Sequence, residues 1–336
     1  MSSPDLVSVV IPTFHRPELL RNAVLSALCQ NYSPIEVIVV IDGEDRASEE
    51  TLASIKDERL CVIPLAVNMG GSEARNIGVR AATGSWIAFL DDDDEWLPRK
   101  IALQMEAAKA NASAFPVIST RLIVRTPGGD SIRPLRMTDS GLPVSEQLFC
   151  RTRLGDGPYT MQTSTLLTRR ETLLAIPFRS GLQRHQDWDW LLRAARNPNV
   201  TFHLLPGPLT IVRANDCRQS VGRVLDWHFS LRWAQEMRGY FTPKAYSFFI
   251  ATECMTRAVK VKAGSAACSL LIREFLFRGS PTPQSLVWLI AFLFIPQPWR
   301  KNAQTFLLSL SAAVRRLFGR NQHKGVRSEN TLLRSS

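Results

Sequence analysis

Three short apolar runs that end on polar or acidic residues do most to limit how this chain can fold. They are "LVSVVIPT" near the start, "IEVIVVID" ending at Asp42, and "GSWIAFLDDDDEW" from Gly84 to Trp96. Such runs, bounded by turn signals, read as strands buried on both faces, as in a parallel sheet. Between them, "PELLRNAVLSALCQ" has helical apolar spacing, with Pro17 suited to the first turn. "SEARNIGVRAAT" reads as a helix opened by Ser72 after Gly70 and Gly71, and "ERLCVIPL" as a further strand. This alternation predicts an α/β fold with a mostly parallel sheet and right-handed crossovers.

The third run raises a question of charge. Asp91, Asp92, Asp93 and Asp94 are consecutive, with Glu95 behind them, and such charges repel unless a cation sits among them. An acidic run can be a solvated loop or a helix N-terminus. Here the apolar strand puts the carboxylates at its carboxyl end, the edge at which open α/β sheets bind ligands. Oxygen-rich clusters suit Mg²⁺ or Mn²⁺, which are held by one or two carboxylates together with substrate phosphates.

Beyond Leu97 the pattern loosens. "PRKIALQMEAAKA" reads as a helix, "FPVISTRLIV" as a strand, and "TPGGDSIRPLRMTDSGLP" as a Gly/Pro-rich loop. "TSTLLTRRETLLAI" reads as a strand running into a helix, and "HQDWDWLLRAAR" as a short amphipathic helix. "VTFHLLPGPLTIVR" reads as two short edge strands around a Pro-Gly-Pro turn. No internal repeat is apparent.

Net charge divides the chain. Residues 1–218 hold 24 Lys/Arg against 25 Asp/Glu, and residues 219–336 hold 17 against 5, so the whole +11 excess lies in the last third. Six scattered cysteines without a CxxC pair suggest neither a zinc site nor a disulfide framework, which fits a reducing cytosol. "MSSPDLVSVVIP" lacks the basic start of a signal peptide. The longest nearly unbroken apolar run, Leu286 to Pro296, falls short of the ~20 residues that span a bilayer.

With these segments placed, the chain resembles the family 2 glycosyltransferases, the inverting group with a GT-A fold. The resemblance rests on "VSVVIPTFHRPELLRNAVLSAL", "EVIVVIDGE", "NMGGSEARNIGVRAATGSWIAFLDDDDEW", "TSTLLTRRETL" and "QDWDWLLRA", in that order, over roughly residues 6–213. It implies a GT-A domain over residues 1–218; residues 219–336 do not carry the resemblance and read, from their charge and apolar pattern, as a basic, apolar helical extension. It also implies transfer of a sugar from a nucleotide-sugar, UDP by default, to a hydroxyl of a glycan or lipid-linked glycan in cell-surface polysaccharide synthesis.

The resemblance assigns roles residue by residue. Asp91 and Asp93 take the positions of a DxD-type motif, Asp93 coordinating Mn²⁺ or Mg²⁺ and Asp91 contacting the ribose or the metal, with Asp91 and Asp92 on the nucleotide side. Pro12, Thr13, Phe14 and Asp42 take the base and ribose positions; the alternative for Asp42 is a loop-capping carboxylate. Arg75 takes the place of an arginine that approaches the diphosphate, or else is a surface charge. Asp187 aligns with the catalytic base, with Gln186 where Glu is commoner and Asp189 as competitor. Asp94 is expected to cap the element that follows. His185 and Trp188 are acceptor-side candidates, and Trp188 and Trp190 read equally as core residues.

Two other classes are weighed. A sugar-1-phosphate nucleotidyltransferase would need a Gly-rich, Arg-containing loop after the first strand, where this chain has "PTFHRPELL". A non-catalytic, membrane-associated nucleotide-sugar-binding protein would be marked by loss of the metal or base carboxylates, and both are present. A pI of about 9.8 invites nucleic acid. The basic residues, however, are interleaved with aliphatic and aromatic ones, so no nucleic-acid partner is expected. The tail reads as helices at the inner-leaflet surface, with the protein cytoplasmic and peripherally attached, or as a helical cap on the catalytic domain.

Overall fold

The computed structural model describes residues 5–135, 137, 141–151, 161–213 and 225–294. The elements of its first half are β1 (Val7–Thr13), α1 (Pro17–Leu28), β2 (Ile35–Ile41), α2 (Arg46–Ala53), β3 (Leu60–Pro64), α3 (Gly71–Ala81), β4 (Trp86–Phe89), β5 (Asp94–Trp96) and α4 (Lys100–Lys109). Then come β6 (Phe115–Thr126), β7 (Gly129–Arg133), α5 (Val144–Phe149), β8 (Leu167–Arg169), α6 (Arg170–Ala175), α7 (Gln186–Ala194) and β9 (Val200–Arg213). The C-terminal helices are α8 (Trp227–Glu236), α9 (Pro243–Phe249), α10 (Met255–Lys260), α11 (Gly264–Phe277) and α12 (Pro283–Phe294), with a π-helical turn, Ile250–Cys254, joining α9 to α10.

The strands form one sheet in the order β3-β2-β1-β4-β8-β6-β9-β5, with β7 paired to β6. β3, β2, β1 and β4 are parallel, whereas β8 runs antiparallel to β4 and β6, and β5 antiparallel to β9. The sheet is therefore parallel in its first four strands and mixed beyond them. The first strands are apolar throughout because both faces are covered. Val7, Val9 and Ile11 of β1 enter a core with Leu20, Val24, Ile101 and Met105 of α1 and α4. Val10 enters the opposite core with Ala74 and Val79 of α3. The contact there is close enough that a Cβ at Gly78 would lie 2.4 Å from Val10 Cγ1.

That second core is continuous with the C-terminal helices. Trp190 and Leu191 of α7 share it with Leu231, Phe249, Met255, Leu271, Phe275 and Leu289. The expected domain border between 218 and 219 lies outside the described residues.

Several local expectations change. Gly70, at φ 86°, precedes α3 as its N-cap, and the Ser72 hydroxyl is buried without a hydrogen-bond partner. The expected loop after Thr126 turns at once into β7, which pairs with β6. "VTFHLLPGPLTIVR" is one strand, β9, lying inside the sheet between β6 and β5. The register against β6 breaks at Thr120 to Leu122, opposite the Pro-Gly-Pro segment, which absorbs the residues that cannot join the ladder. Asp94 caps no helix: it opens β5, pairing with Val212 of β9, and α4 begins only at Lys100.

Candidate active site

In the sheet order β1 has β2 on one side and β4 on the other, so the chain's direction of travel across the sheet reverses there. The crevice outside such a switch point is the general ligand site of open α/β sheets. Here it is a cavity of about 720 Å³ lined by Pro12, Thr13 and Phe14 after β1, Asp42 after β2, Asp91 to Asp94 after β4, Arg75 of α3, and residues 183–188 leading into α7. Every site residue expected from the sequence therefore faces one space.

Two arginines supply positive charge to the acidic run. Arg75 Nη2 lies 2.5 Å from Asp91 Oδ1, and Arg16 Nη1 lies 3.0 Å from Asp92 Oδ1 and 3.2 Å from Asp93 Oδ2. Asp92 is buried and also accepts from Thr13 Oγ1 at 2.9 Å, which ties β1 to the acidic turn. Burial pushes its carboxyl up to about 6, the Arg16 charge opposing and Asp93 adding to the rise. Asp94 is held well above the usual carboxylate range by burial, with Asp91 and Asp93 adding to it. The Asp91 amide donates to Ser164 Oγ at 3.0 Å, fixing the start of the run against the turn before β8.

Asp42 takes the loop-capping arrangement: its two oxygens accept from the Met69 and Gly70 amides at 2.7 and 2.9 Å. It shapes the loop that leads into α3 and still borders the cavity. Phe14, 43% exposed, has its ring 4.1 Å from that of His15 and offers aromatic surface to a flat ligand at the cavity edge.

Across the cavity, α7 starts at Gln186 after His185, whose φ of 61° turns the chain sharply. Asp187 lies on the cavity wall and accepts from the Trp188 amide at 2.8 Å. Enclosure lifts its carboxyl to about 6; the Trp188 amide opposes this, the Asp91 charge adds to it, and Arg75 opposes it. Gln186 Oε1 accepts from Arg75 Nη1 at 2.8 Å, so one guanidinium joins Asp91 to the start of α7. Asp189, the competitor, is fully buried between Arg193 Nε at 2.7 Å and Arg179 Nη2 at 3.2 Å, with Trp233 Nε1 at 3.1 Å. It faces the interior and serves packing.

His185 and Trp188 meet in an aromatic cluster under the cavity. Their rings stack at 4.8 Å, with Trp233 4.7 Å from His185 and Phe149 5.2 Å from Trp188. His185 Nε2 lies 3.0 Å from Ser230 Oγ, and burial, with Arg257 and Arg184 nearby, holds its pKa well below the usual value. It ties α7 to α8. Trp190 is fully buried with its Nε1 on the Ile176 carbonyl, so stacking on an acceptor sugar is closed to it. Sequence reasoning missed Arg16, Ser164 and the bridging role of Gln186. Of these, only Arg16 carried a signal, as a cation just after the strand that neighbours the acidic run.

Residues 8–166 match the family described as Glycosyl transferase family 2. The chain carries a family 2 glycosyltransferase domain. It is similar to the amylovoran biosynthesis glycosyltransferase AmsB of Erwinia amylovora, 26% identical over 258 residues that make up 71% of this chain and 82% of AmsB. It is also similar to WfaP of Escherichia coli, named a UDP-Glc:α-D-GlcNAc-diphosphoundecaprenol β-1,3-glucosyltransferase, at 36% identity over 101 residues, 30% of this chain and 40% of WfaP. The fold resembles that of S. aureus TarS at a TM-score of 0.50 and 17% identity, covering 87% of this chain and 49% of TarS. The expected GT-A class, with helices following the catalytic sheet, is the fold observed.

Proposed function

We propose that this family 2 glycosyltransferase is an inverting, metal-dependent enzyme. It would move a sugar from a UDP-sugar to a hydroxyl of a glycan or lipid-linked glycan in bacterial surface-polysaccharide synthesis. The observation that carries the reading is the convergence on one cavity of a carboxylate lifted to about 6, an Arg75 guanidinium and the Asp91 to Asp93 run. The names of AmsB and WfaP support the pathway class, and that of WfaP the nucleotide. The match to this family argues against the nucleotidyltransferase reading.

In this scheme the acceptor hydroxyl gives its proton to an Asp187 oxygen as its own oxygen bonds to the anomeric carbon. The bond from that carbon to the diphosphate oxygen breaks on the opposite face, and its electrons leave with the nucleoside diphosphate. A base whose pKa sits near 6 is ionised at neutral pH yet still accepts a proton readily. Arg75 supplies positive charge to the departing diphosphate. The oxygen donors fit a hard cation: Asp91 and Asp93 both line the cavity, and Asp93 is partly open to it. Among the described residues no group of three His, Cys, Asp or Glu could hold a metal ion, so an ion here would need donor phosphates as further ligands. Bound there by Asp93 and Asp91, Mn²⁺ or Mg²⁺ would neutralise charge developing on the leaving group. Attachment at the cytoplasmic face of the membrane completes the proposal.

The test is a screen of UDP-sugars for acceptor-dependent UDP release, with and without chelator, followed by anomeric analysis of the product. An α-linked donor should give a β-linked product. Asp93→Asn should lower turnover about a hundredfold. Retained configuration, or undiminished activity in excess chelator, would contradict the mechanism; tight donor binding without release would favour a non-catalytic binding protein.

A further inference from the structure

The helix α12 contains no charged residue, and it is buried at Ser285 and Leu289. Leu286, Val287, Ile290 and Phe294 are exposed, Phe294 by 77%. At 100° per residue these four fall within about 100° of arc, so they form one face. The end of α11 adds Leu276 and Phe277, the latter 78% exposed, just before the five residues that lead into α12. Apolar surface gathered in this way marks an interaction site, not ordinary scatter.

Charge indicates what covers it. Lys260, Lys262, Arg273 and Arg278 are exposed around the same helices. No Asp or Glu occurs between Glu274 and Glu329, a stretch holding eight Lys and Arg among aliphatic and aromatic residues. Apolar side chains flanked by cations and unrelieved by acids match an anionic lipid surface. No described helix is long and apolar enough to cross a membrane, so the contact fits a surface-lying mode. The face also connects to the cavity. Trp288 of α12 lies under the Arg151 guanidinium at 5.2 Å, and Arg151 lies 3.6 Å from Glu253. Glu253 pairs with Arg257, and Arg184, in the cavity wall, feels both charges.

We propose that the exposed face of α11 and α12 docks on an anionic lipid bilayer and presents the cavity to acceptor hydroxyls carried at that surface. The second clause rests on the transferase reading, and the docking itself does not. It names the surface that the proposed peripheral attachment would use.

The full chain is sedimented with vesicles of phosphatidylglycerol and phosphatidylcholine, and with phosphatidylcholine alone. Binding should be strong to the first, partly reversed by high salt, and weak to the second. Val287→Asp with Ile290→Asp should weaken binding about tenfold or more. Arg273→Gln with Arg278→Gln should weaken it on anionic vesicles alone. Binding of a folded aspartate variant at wild-type strength would overturn the proposal. So would a lipid-free dimer that the aspartates dissolve, which assigns the face to a second copy. A large fall in their thermal midpoint would assign it instead to a segment of the same chain. UDP release from a panel of UDP-sugars with a soluble acceptor, measured without lipid, separates the two readings: release without vesicle binding sinks the docking surface, and vesicle binding without release from any of them sinks the proposed UDP-sugar transfer.

Discussion

The two walls of the cavity use the same residue type to opposite ends. On the strand-end wall each carboxylate of the acidic run that faces the cavity from Asp91 to Asp93 has a guanidinium against it, Arg75 or Arg16. On the α7 wall Asp187 has a backbone amide of its own helix as partner, with Arg75 acting from further off. Paired carboxylates are fixed in place and set the local field. Burial lifts Asp92 to about 6 as well, but Arg16 and Thr13 hold that carboxylate. Asp187 is lifted to about 6 on the cavity wall with a backbone amide as its partner, where an acceptor hydroxyl can reach it as a general base requires. Asp189, two residues on, is a third case: buried more deeply still, but clamped by two arginines. Neighbours, not residue type, divide the labour.

The largest effect should come from removing the proton acceptor. Asp187→Asn should lower transfer about a thousandfold while donor affinity stays within a few fold. In the wild type, the rate should fall as pH drops below about 6. The same substitution tests the enclosure by a second route. A folded-state pKa of about 6 means the native protein binds the proton more tightly than the unfolded chain, so ionisation costs stability as pH rises from about 4 to 6. The variant should therefore match wild type near pH 4 and exceed it at pH 8, by up to about 3 kcal/mol. Equal melting at both pH values would mean that Asp187 is not enclosed as described.

Asp189→Asn should invert that pattern. It leaves Arg179 and Arg193 facing a neutral group in the core, at a cost of about 3 kcal/mol in denaturant unfolding. Folded protein should keep most of its activity below the new midpoint. Loss of turnover without loss of stability would exchange the roles assigned to the two aspartates.

The smallest effect sharpens the link between the walls. Gln186→Glu would set a carboxylate on Arg75 and weaken the positive charge that Arg75 offers Asp187. The acidic limb of the pH-rate profile should move up by about half a unit. A downward move would show that the added charge reorders Arg75 toward Asp187.

Much of the fold was legible because the apolar runs of β1, β2 and β4 are buried on both faces, and such burial leaves an unbroken signature in sequence. The edge of the sheet on which the site is built followed from the same runs. The second half was less legible. β5 is three residues of "DEW" that no propensity favours as a strand, and it exists because β9 supplies the ladder. β9 carries Pro-Gly-Pro, a turn signal overridden by a register break against β6.

At the site the sequence by itself determined which carboxylates exist, that Asp91 to Asp94 follow a buried strand, and that an acidic pair opens a helix near residue 187. It also determined that a cation must join the run, since four adjacent charges cannot balance one another. Only the tertiary structure decided which of the chain's own cations reach it. Arg16 and Arg75 lie far from the run in the chain, and the adjacency of β1, β4 and α3 brings them onto it. Only the tertiary structure separated Asp187 from Asp189, because a helix turned by the His185 junction points one toward the cavity and packs the other against Trp233. Sequence sets the inventory of charge. Burial and distance set each charge's partner, and both arise from contacts between residues that the chain holds apart.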